Sequence, residues 1–366
     1  MISISSTENE ERTSRAGKIM LLLLYTLATV QVVWAYHSRV PSYLGLDKYE
    51  NGTEVTPCQT RVLMMLVLRW AHSNTLLVHL ANLVSTVTPI YRTQIRPETF
   101  ILGLWDTAGT AIAGWVATRI YIAASPRRLL TPYIYPLVLV FCAGQYILLA
   151  LHVYRFYYDF PSLGFFSAGL YLIYFRKNPL VFAALFVVAT LNRETTLLLL
   201  LLFVLASVTD GGGMDWRRIC APRTLRIVVP LGVFWWSWHV LVNRHFAHNH
   251  FAYIPASLIN TVLLIWPPAW PQLLTAGCFS IPFLIVYRKK VRDRTLRLWL
   301  WVLPAWFAII FLYGIIVEAR LYGELIPYFA CMAALIAEEA IVSRFQAQGW
   351  SCGSQVAMEE AGAAGR

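Results

Sequence analysis

Residues 178–209 read NPLVFAALFVVATLNRETTLLLLLLFVLASVT, and this stretch decides the fold class of the chain. Two long apolar runs, at about 178–191 and 194–209, meet at the polar turn Asn192-Arg-Glu-Thr195. A charged residue at the centre of a membrane-spanning helix costs roughly 2.5–3.5 kcal/mol, so a charged turn is expected at the membrane boundary. The pattern therefore predicts two transmembrane helices that meet in a polar turn at one face of the membrane.

The composition of the whole chain also indicates a membrane protein. Of its 366 residues 58% are hydrophobic and only 13% are charged, whereas soluble domains carry about 25% charged residues. These values exclude a water-soluble globular protein and a disordered chain. The formal net charge is +11, but the basic residues lie in short segments between apolar runs, as membrane anchoring requires. We therefore expect membrane lipids as partners and no nucleic acid.

The other apolar runs extend this prediction to the rest of the chain. Such runs occur at about 19–36, 98–124, 130–152, 161–175, 178–191, 194–209, 225–243, 270–287, 297–317 and 323–343. Polar side chains interrupt residues 63–91, which predicts interfacial helices, and the prolines that end residues 251–270 predict a partial or re-entrant element. The predicted fold is an all-α polytopic integral membrane helix bundle with about ten spans and interfacial helices after the first span.

The positions of the basic residues predict the orientation and the domains. With the N-terminus in the cytoplasm, most arginines and lysines fall in cytoplasmic loops, as the positive-inside rule requires. We expect a cytoplasmic N-terminal tail over residues 1–18, a single transmembrane domain over 19–344 and a disordered C-terminal tail over 345–366. Within that domain residues 37–97 are expected to form an outer loop that carries the interfacial helices.

Under this orientation the polar clusters of the chain fall on the outer face. They are residues 43–61, 154–161, 191–196, 243–250 and 318–324. The cytoplasmic loops are basic but otherwise featureless. Because charged side chains are costly near the hydrocarbon, their concentration on one face predicts a functional site there.

The turn at Arg193 supports two interpretations. Arg193 and Glu194 neutralise each other at the tip of a structural hairpin, or Arg193 binds a phosphate with its planar bidentate fork, with Asn192 in the same site. Glu318 and Arg320 are a second such group. Side chains two apart on a helix face different directions, so these two are expected to contact different neighbours. The expected ion pairs, for binding or for locking the bundle, are Arg320 with Glu194 and Glu318 with Arg193.

Acidic and aromatic residues of the outer loops are further candidates. Asp47 lies in a Tyr- and Gly-rich segment soon after the first span. Its carboxylate is either a general base for an acceptor hydroxyl or a solvated loop acid. Tyr157, Tyr158 and Asp159 have a composition suited to contact with a sugar ring, although an interfacial aromatic belt explains the tyrosines equally well.

Metal binding is the weakest of the site hypotheses. The histidines at positions 245, 248 and 250 have suitable spacings, but no acid lies nearby in sequence. We interpret them as a loop that faces lipid headgroups. The six cysteines are scattered without a CxxC pair, which argues against a disulfide framework or a zinc site. The sequence therefore predicts no metal site.

The order of the elements carries a resemblance to a known family. The chain has a polar N-terminus. Between Ile19 and about Arg344 it continues with one span, an acidic outer loop, interfacial helices and many spans with polar outer turns. This order resembles the GT-C superfamily of polytopic membrane glycosyltransferases. The segments that resemble an uncharacterised bacterial branch near it are Pro57-Cys-Gln-Thr-Arg61-Val-Leu, Tyr158-Asp159-Phe-Pro, Leu191-Asn-Arg-Glu-Thr195 and Glu318-Ala-Arg320-Leu-Tyr-Gly-Glu-Leu-Ile-Pro327. The resemblance implies a polyprenyl-phosphate-linked sugar donor and a catalytic base in the first outer loop, here Asp47.

The expected function is glycosyl transfer from a lipid-linked donor to an acceptor on the outer face of a bacterial inner membrane. Arg193, with Arg61 or Arg320, is expected to hold the donor phosphate, while Glu194 and Glu318 orient these arginines. The rival class is a transporter, flippase or polysaccharide polymerase. Transporters tend to place charges near the membrane midplane and to carry inverted repeats, which this sequence does not show. The sequence assigns no cofactor and no oligomeric state.

Overall fold

The computed structural model describes residues 4–87, 96–149, 154–209, 214–250 and 256–347, and in these ranges the chain is all-helical. The described residues include no β-strand, only an isolated bridge between Ser42 and Arg155. The helices are α1 (Ile4–Arg39), α2 (Leu46–Asn51), α3 (Val62–Ser73), α4 (Thr75–Val87), α5 (Pro97–Ala124), α6 (Thr131–Ala143), α7 (Asp159–Tyr174), α8 (Pro179–Asn192), α9 (Leu197–Val208), α10 (Pro222–His245), α11 (Ala256–Ile265), α12 (Trp270–Leu274), α13 (Ser280–Tyr287), α14 (Arg294–Trp299), α15 (Val302–Tyr313) and α16 (Ile326–Ala347). The all-α prediction is confirmed.

Six segments are long and apolar enough to cross a membrane. They are Ala16–Arg39, Pro97–Ala124, Thr131–Leu148, Pro222–His245, Arg294–Tyr313 and Ala319–Gln346. The chain is therefore a membrane protein by the length and composition of its helices. The predicted spans at 161–175, 178–191 and 194–209 are helices too, but α7, α8 and α9 have only 16, 14 and 12 residues. A straight span needs about 20, so the structure does not confirm ten spans.

One predicted span is wrong as a continuous helix. Residues 270–287 form two short helices, α12 and α13, separated by a turn at 275–279. Three consecutive residues of this turn, Gly277, Cys278 and Phe279, have positive φ angles of 59°, 52° and 62°. A left-handed backbone ends a right-handed helix, so the apolar run is interrupted although its composition suits a span.

The segment after the first span contains the predicted short helices. α3 and α4 have 12 and 13 residues, and a rise of 1.5 Å per residue makes them about 20 Å long, which is less than the roughly 30 Å of hydrocarbon. α3 buries Met64, Leu68 and Ala71 and packs against α5. Together with α2 it forms a second apolar core at one end of the bundle.

The terminal predictions have different outcomes. α1 begins at Ile4, so the part of the expected cytoplasmic tail from residue 4 onward continues the first span as helix. α16 ends at Ala347, and residues 348–366, where a disordered tail is predicted, lie outside the described residues.

Helices α5 and α7 cross at backbone contact in the core. A Cβ atom on Gly109 would lie 2.2 Å from the backbone oxygen of Phe160, and one on Gly164 would lie 2.7 Å from the Cα atom of Gly109. Small residues let two membrane helices approach to backbone contact. This contact fixes the first turn of α7, and with it Asp159, between α1 and α5.

Candidate functional site

Asp159 belongs to a partly buried charged cluster, which we define as Arg61, Asp159, Arg193, Glu194, Glu318, Arg320 and Glu324. Asp159 is the first residue of α7 and is fully buried. The hydroxyl of Tyr36, on α1, donates a hydrogen bond of 2.9 Å to Asp159 Oδ2. The other carboxylate oxygen, Oδ1, lies 3.6 Å from Arg193 Nη1 and 3.5 Å from Arg320 Nη1. One carboxylate therefore joins two arginines from distant parts of the chain.

Arg193 enters the cluster because α8 ends immediately before it. Asn192 is the last residue of α8, and Arg193 has an extended backbone with φ −161° and ψ 145°. The Asn192 amide donates to Ser162 Oγ at 2.7 Å, which ties the turn to α7. The Arg193 side chain is 2% exposed, and its Nη1 lies 3.1 Å from Glu324 Oε1. Arg193 thus lies between two buried carboxylates.

Arg320 pairs with its own neighbour, contrary to the sequence prediction. Arg320 Nη2 donates to Glu318 Oε2 at 2.7 Å, and the guanidinium lies 3.8 Å from the centre of the Phe156 ring. The prediction that Glu318 and Arg320 contact different neighbours assumed an α-helix. Glu318 instead has an extended backbone and precedes a 3-10 helix, Ala319–Leu325. The expected pairs of Arg320 with Glu194 and of Glu318 with Arg193 are therefore wrong.

Arg61 is the third arginine of the cluster. Its Nε lies 3.3 Å from Glu194 Oε2, and its guanidinium lies 4.0 Å from the centre of the Tyr158 ring. Thr60 donates to the other oxygen of Glu194 at 2.9 Å. Thr195, the next residue, donates to Glu324 Oε1 at 2.8 Å. The polar turn after α8 therefore connects the Arg61–Glu194 pair to the Arg193–Glu324 pair.

Charge and exposure divide the cluster into two parts. Its three arginines and four carboxylates give a formal net charge of −1. Asp159, Arg193 and Glu324 are buried, whereas the side chains of Arg61 and Arg320 are 14% and 12% exposed. Several buried atoms of the cluster make no hydrogen bond, and they are Asp159 Oδ1, Arg193 Nε, Arg193 Nη1, Arg320 Nη1 and Glu324 Oε2. Buried polar atoms are usually satisfied, so this cluster has unused capacity for a polar ligand.

The aromatic residues differ from the expectation. Tyr157 and Tyr158 are 4% and 0% exposed, so their rings are not available to stack on a sugar at the surface. Tyr157 instead donates to the Leu44 backbone oxygen at 2.8 Å. The exposed aromatic pair of this region is Tyr43 and Tyr154, whose ring centres lie 5.2 Å apart.

Asp47 lies away from the charged cluster. Its side chain is 76% exposed, and it forms an ion pair of 2.8 Å with Arg96 Nη2. Its helix, α2, is still connected to the cluster, because the Tyr49 hydroxyl donates to the Arg61 backbone oxygen at 2.5 Å. The structure thus brings Asp47 near the cluster only through its helix, not through a side-chain contact.

A second, partly buried ion network was missed by the sequence analysis. His37 Nε2 lies 2.7 Å from Asp106 Oδ2, and Arg155 Nη1 lies 2.8 Å from His37 Nδ1. Arginine only donates hydrogen bonds, so His37 Nδ1 accepts and Nε2–H donates to Asp106. An aspartate inside the apolar helix α5 is a recognisable signal in the sequence, because ionisable residues within spans usually have a function.

One group in the described part of the chain has the side chains and spacing to hold a metal ion: Glu50, His72 and Glu98. Burial, followed by the neighbouring Glu98 carboxylate, raises the pKa of Glu50. The hydrogen bond to Glu98 raises the pKa of His72 above its ordinary value. The histidines at 245, 248 and 250 belong to no such group among the described residues.

The comparisons with known proteins assign no family to this geometry. No protein-family model, curated protein or solved structure matches the chain. The functional argument therefore rests on the two polar clusters themselves, and the resemblance to the GT-C superfamily stays a prediction.

Proposed function

We propose that this chain is a GT-C-like glycosyltransferase, which moves a sugar from a polyprenyl-phosphate-linked donor to an acceptor on the outer face of a bacterial inner membrane. The observation that carries the proposal is the charged cluster at the turns after α8 and α15. In it, two partly exposed arginines, Arg61 and Arg320, are held by carboxylates and by aromatic rings. Oriented guanidinium groups at a membrane boundary are suited to a lipid-linked phosphate.

The arginines have different roles in this proposal. Arg61 makes an ion pair with Glu194, and Arg320 makes ion pairs with Glu318 and Asp159. Each guanidinium has five N–H groups, so both keep N–H groups for phosphate oxygens. Arg193 is buried between Asp159 and Glu324, so it acts as a positioning residue that holds Asp159 in place beside Arg320. Fixed cations that neutralise the departing phosphate contribute the electrostatic part of catalysis.

The acceptor is activated from the first outer loop. Asp47 is an exposed carboxylate of this loop, and its position on α2 leaves it open to an acceptor hydroxyl, whose proton it would take as general base. Arg96 is its ion-pair partner. The exposed rings of Tyr43 and Tyr154 supply the flat apolar surface for the sugar that Tyr157 and Tyr158, being buried, do not provide.

An apolar cavity suits the lipid part of the donor. It has a volume of about 190 Å³, and its lining includes Leu273, Ile281, Phe307 and Tyr322. Tyr322 is two residues from Arg320 in sequence, so one segment contributes to both the cavity and the polar cluster. A lipid-linked donor needs this combination of an apolar chain site and a cationic headgroup site.

The proposal includes about ten spans with the N-terminus in the cytoplasm. α7, α8 and α9 each cross the membrane in it, and the broken pair α12–α13 makes one crossing together. Helices of 12 to 16 residues are about 18–24 Å long, so the polar turn at Arg193 lies slightly inside the boundary. Short spans are accommodated by local thinning of the bilayer, and the surrounding helices shelter the charges.

A transporter, flippase or polysaccharide polymerase is the second candidate function. The His37–Asp106–Arg155 network favours it, because chains of ionisable side chains within spans are typical of proton-coupled transport. Such a protein would move a lipid-linked sugar without transferring it. The two functions therefore share a ligand class and differ in the product.

The test measures transfer and translocation with the same purified protein in proteoliposomes. A polyprenyl-phosphate donor with a radiolabelled sugar is supplied with a membrane lipid extract as acceptor, and labelled product is separated by chromatography. We expect labelled product with the wild-type protein and none with Arg320→Ala. Accumulation of the intact donor in the opposite leaflet, without product, would contradict the enzyme proposal and support the flippase.

A further inference from the structure

A second polar cluster lies where the loop after α1 meets the beginning of α5. Glu50 comes from α2, His72 from the last turn of α3 and Glu98 from the first turn of α5. His72 Nδ1 lies 2.5 Å from Glu98 Oε1 and 4.0 Å from Glu50 Oε2. One potential ligand atom from each residue lies within 4.8 Å of the others. Three separate elements thus bring one imidazole and two carboxylates together.

The two carboxylates are buried, and each has an oxygen without a hydrogen bond. Glu50 is 8% exposed and Glu98 is 1% exposed, and neither Glu50 Oε1 nor Glu98 Oε2 accepts a hydrogen bond. Burying a carboxylate is costly unless it is paired or coordinates a metal.

The neighbouring arginines only partly compensate these charges. Arg96 Nε is 3.5 Å from Glu98 Oε2, but the same guanidinium also pairs with Asp47. Arg69 donates to the backbone oxygen of Glu50 and not to its carboxylate. The buried carboxylate of Glu50 therefore has His72 as its nearest cationic partner, at 4.0 Å.

We propose that Glu50, His72 and Glu98 bind a divalent transition-metal cation of the Zn²⁺ class. Imidazole nitrogen and carboxylate oxygen are both ligands that zinc accepts, and zinc sites with three protein ligands keep a fourth position open to water. Mg²⁺ and Ca²⁺ prefer sites made of oxygen alone. His72 is 64% exposed on its side chain, so the fourth position faces solvent.

The geometry needs only small side-chain movements. Ligand atoms around a tetrahedral zinc ion are about 3.4 Å apart, given bonds of about 2.1 Å. The contact between His72 and Glu98 at 2.5 Å would open, and that between His72 and Glu50 at 4.0 Å would close. On binding, the proton of the hydrogen bond between His72 and Glu98 would be released to solvent, and the two carboxylates would gain the cation as a common partner.

A cation at this position would connect three elements through one common centre. It would join α2 and α3 to the beginning of α5, one of the long apolar helices. Because the native state alone presents all three ligands together, cation binding should raise the thermal unfolding midpoint. This inference does not depend on the glycosyltransferase proposal.

The experiment uses the full chain, purified in detergent, freed of any affinity tag and stripped with a chelator. Zn²⁺ is titrated against a chromogenic competitor, bound zinc is counted by atomic emission, and thermal unfolding is followed in parallel. We expect one Zn²⁺ per chain and a raised midpoint, while Mg²⁺ at the same concentration leaves the midpoint unchanged. His72→Gln and Glu50→Gln should each weaken Zn²⁺ binding by at least about tenfold.

His79→Gln is the matched control, because His79 is an exposed histidine on the next helix, α4, and should bind Zn²⁺ like the wild type. If Glu50→Gln fails to fold because Glu50 is buried, His72→Gln still gives the test, since the His72 side chain is exposed. Absence of saturable Zn²⁺ binding to the wild type would overturn the proposal. Equal binding by the wild type, His72→Gln and Glu50→Gln would also overturn it, since the zinc would then lie on other histidines. So would equal affinity for Mg²⁺.

Discussion

Arg193 and Arg320 share a cluster but differ in the consequence of their removal. Arg193 is buried beside Asp159 and Glu324. Breaking a buried ion pair from one side costs roughly 3–5 kcal/mol, because the remaining charge is uncompensated. We expect Arg193→Gln to lower the thermal unfolding midpoint strongly and to reduce the yield of monodisperse protein in size-exclusion chromatography. An unchanged midpoint would show that the folded state does not need Arg193 to compensate the charges of Asp159 and Glu324.

Arg320→Lys tests binding instead of folding. Arg320 is partly exposed, so its replacement by lysine keeps the charge beside Glu318 and should leave the unfolding midpoint near that of the wild type. The bidentate fork is lost, and removal of one preorganised donor typically costs about 10²-fold in rate. We expect sugar transfer to fall by about that factor. Full transfer activity in Arg320→Lys would remove Arg320 from the donor site.

Asp47 offers a sharper test, because its side chain is exposed and its only side-chain partner among the described residues is Arg96. A general base contributes roughly 10²- to 10⁴-fold, so Asp47→Asn should cut turnover at least about a hundredfold without changing the unfolding midpoint. Arg96→Gln is the control, since it removes the same ion pair but keeps the carboxylate. Equal losses of turnover in both variants would show that activity depends on the ion pair and not on the carboxylate as a general base.

The sequence predicts the members of the charged cluster better than their pairing. Arg193 and Asp159 are recognisable in the sequence, because charged residues beside apolar runs are energetically costly and usually have a function. The partner of Arg320 could not be predicted, since it depends on the extended backbone of Glu318. Glu324 follows the same charged segment in sequence, but only the fold shows that its side chain points toward Arg193.

At the scale of elements, the crossing of α5 and α7 positions the site. Gly109→Ala would place a Cβ atom 2.2 Å from the backbone oxygen of Phe160, so the helices would have to separate and the first turn of α7 would shift. We expect a lower unfolding midpoint and loss of transfer activity. Gly103→Ala is the matched control on the same helix, because its added Cβ meets nothing within 4 Å. Helix propensity alone favours alanine over glycine at both positions, so an unchanged or raised midpoint in Gly109→Ala would contradict the role of the crossing.

Apolar runs predict that helices exist but not how long they are. The run at 270–287 has the composition of a span, yet its centre turns in a left-handed backbone. Of the three residues in that turn, only Gly277 signals a break, since Cys278 and Phe279 rarely adopt positive φ. The turn after α8 is likewise visible as a polar segment. Its position inside or outside the hydrocarbon depends on neighbours that the local sequence does not specify.

For the whole molecule, the open question of six or ten spans has a direct test. In both topologies an odd number of crossings separates Lys48 from Lys290, so these two positions lie on opposite sides. The location of Arg217 distinguishes the two topologies. Ten spans place Arg217 in the cytoplasm with Lys290, whereas six spans place it outside with Lys48, because α7, α8 and α9 then do not cross.

We predict that Lys48 is outside and that Arg217 and Lys290 are inside, because the basic loops then share the cytoplasmic face. Single cysteines at the three positions, in a background without native cysteines, can be labelled with an impermeant maleimide in right-side-out and in inverted vesicles. All three positions are exposed, so a failure to label reports the side and not burial. Outside labelling at Arg217 would contradict ten spans, although the charged cluster would stay on the outer face. Labelling of Lys48 and Lys290 from the same side would contradict both topologies and remove the argument for a single outer site.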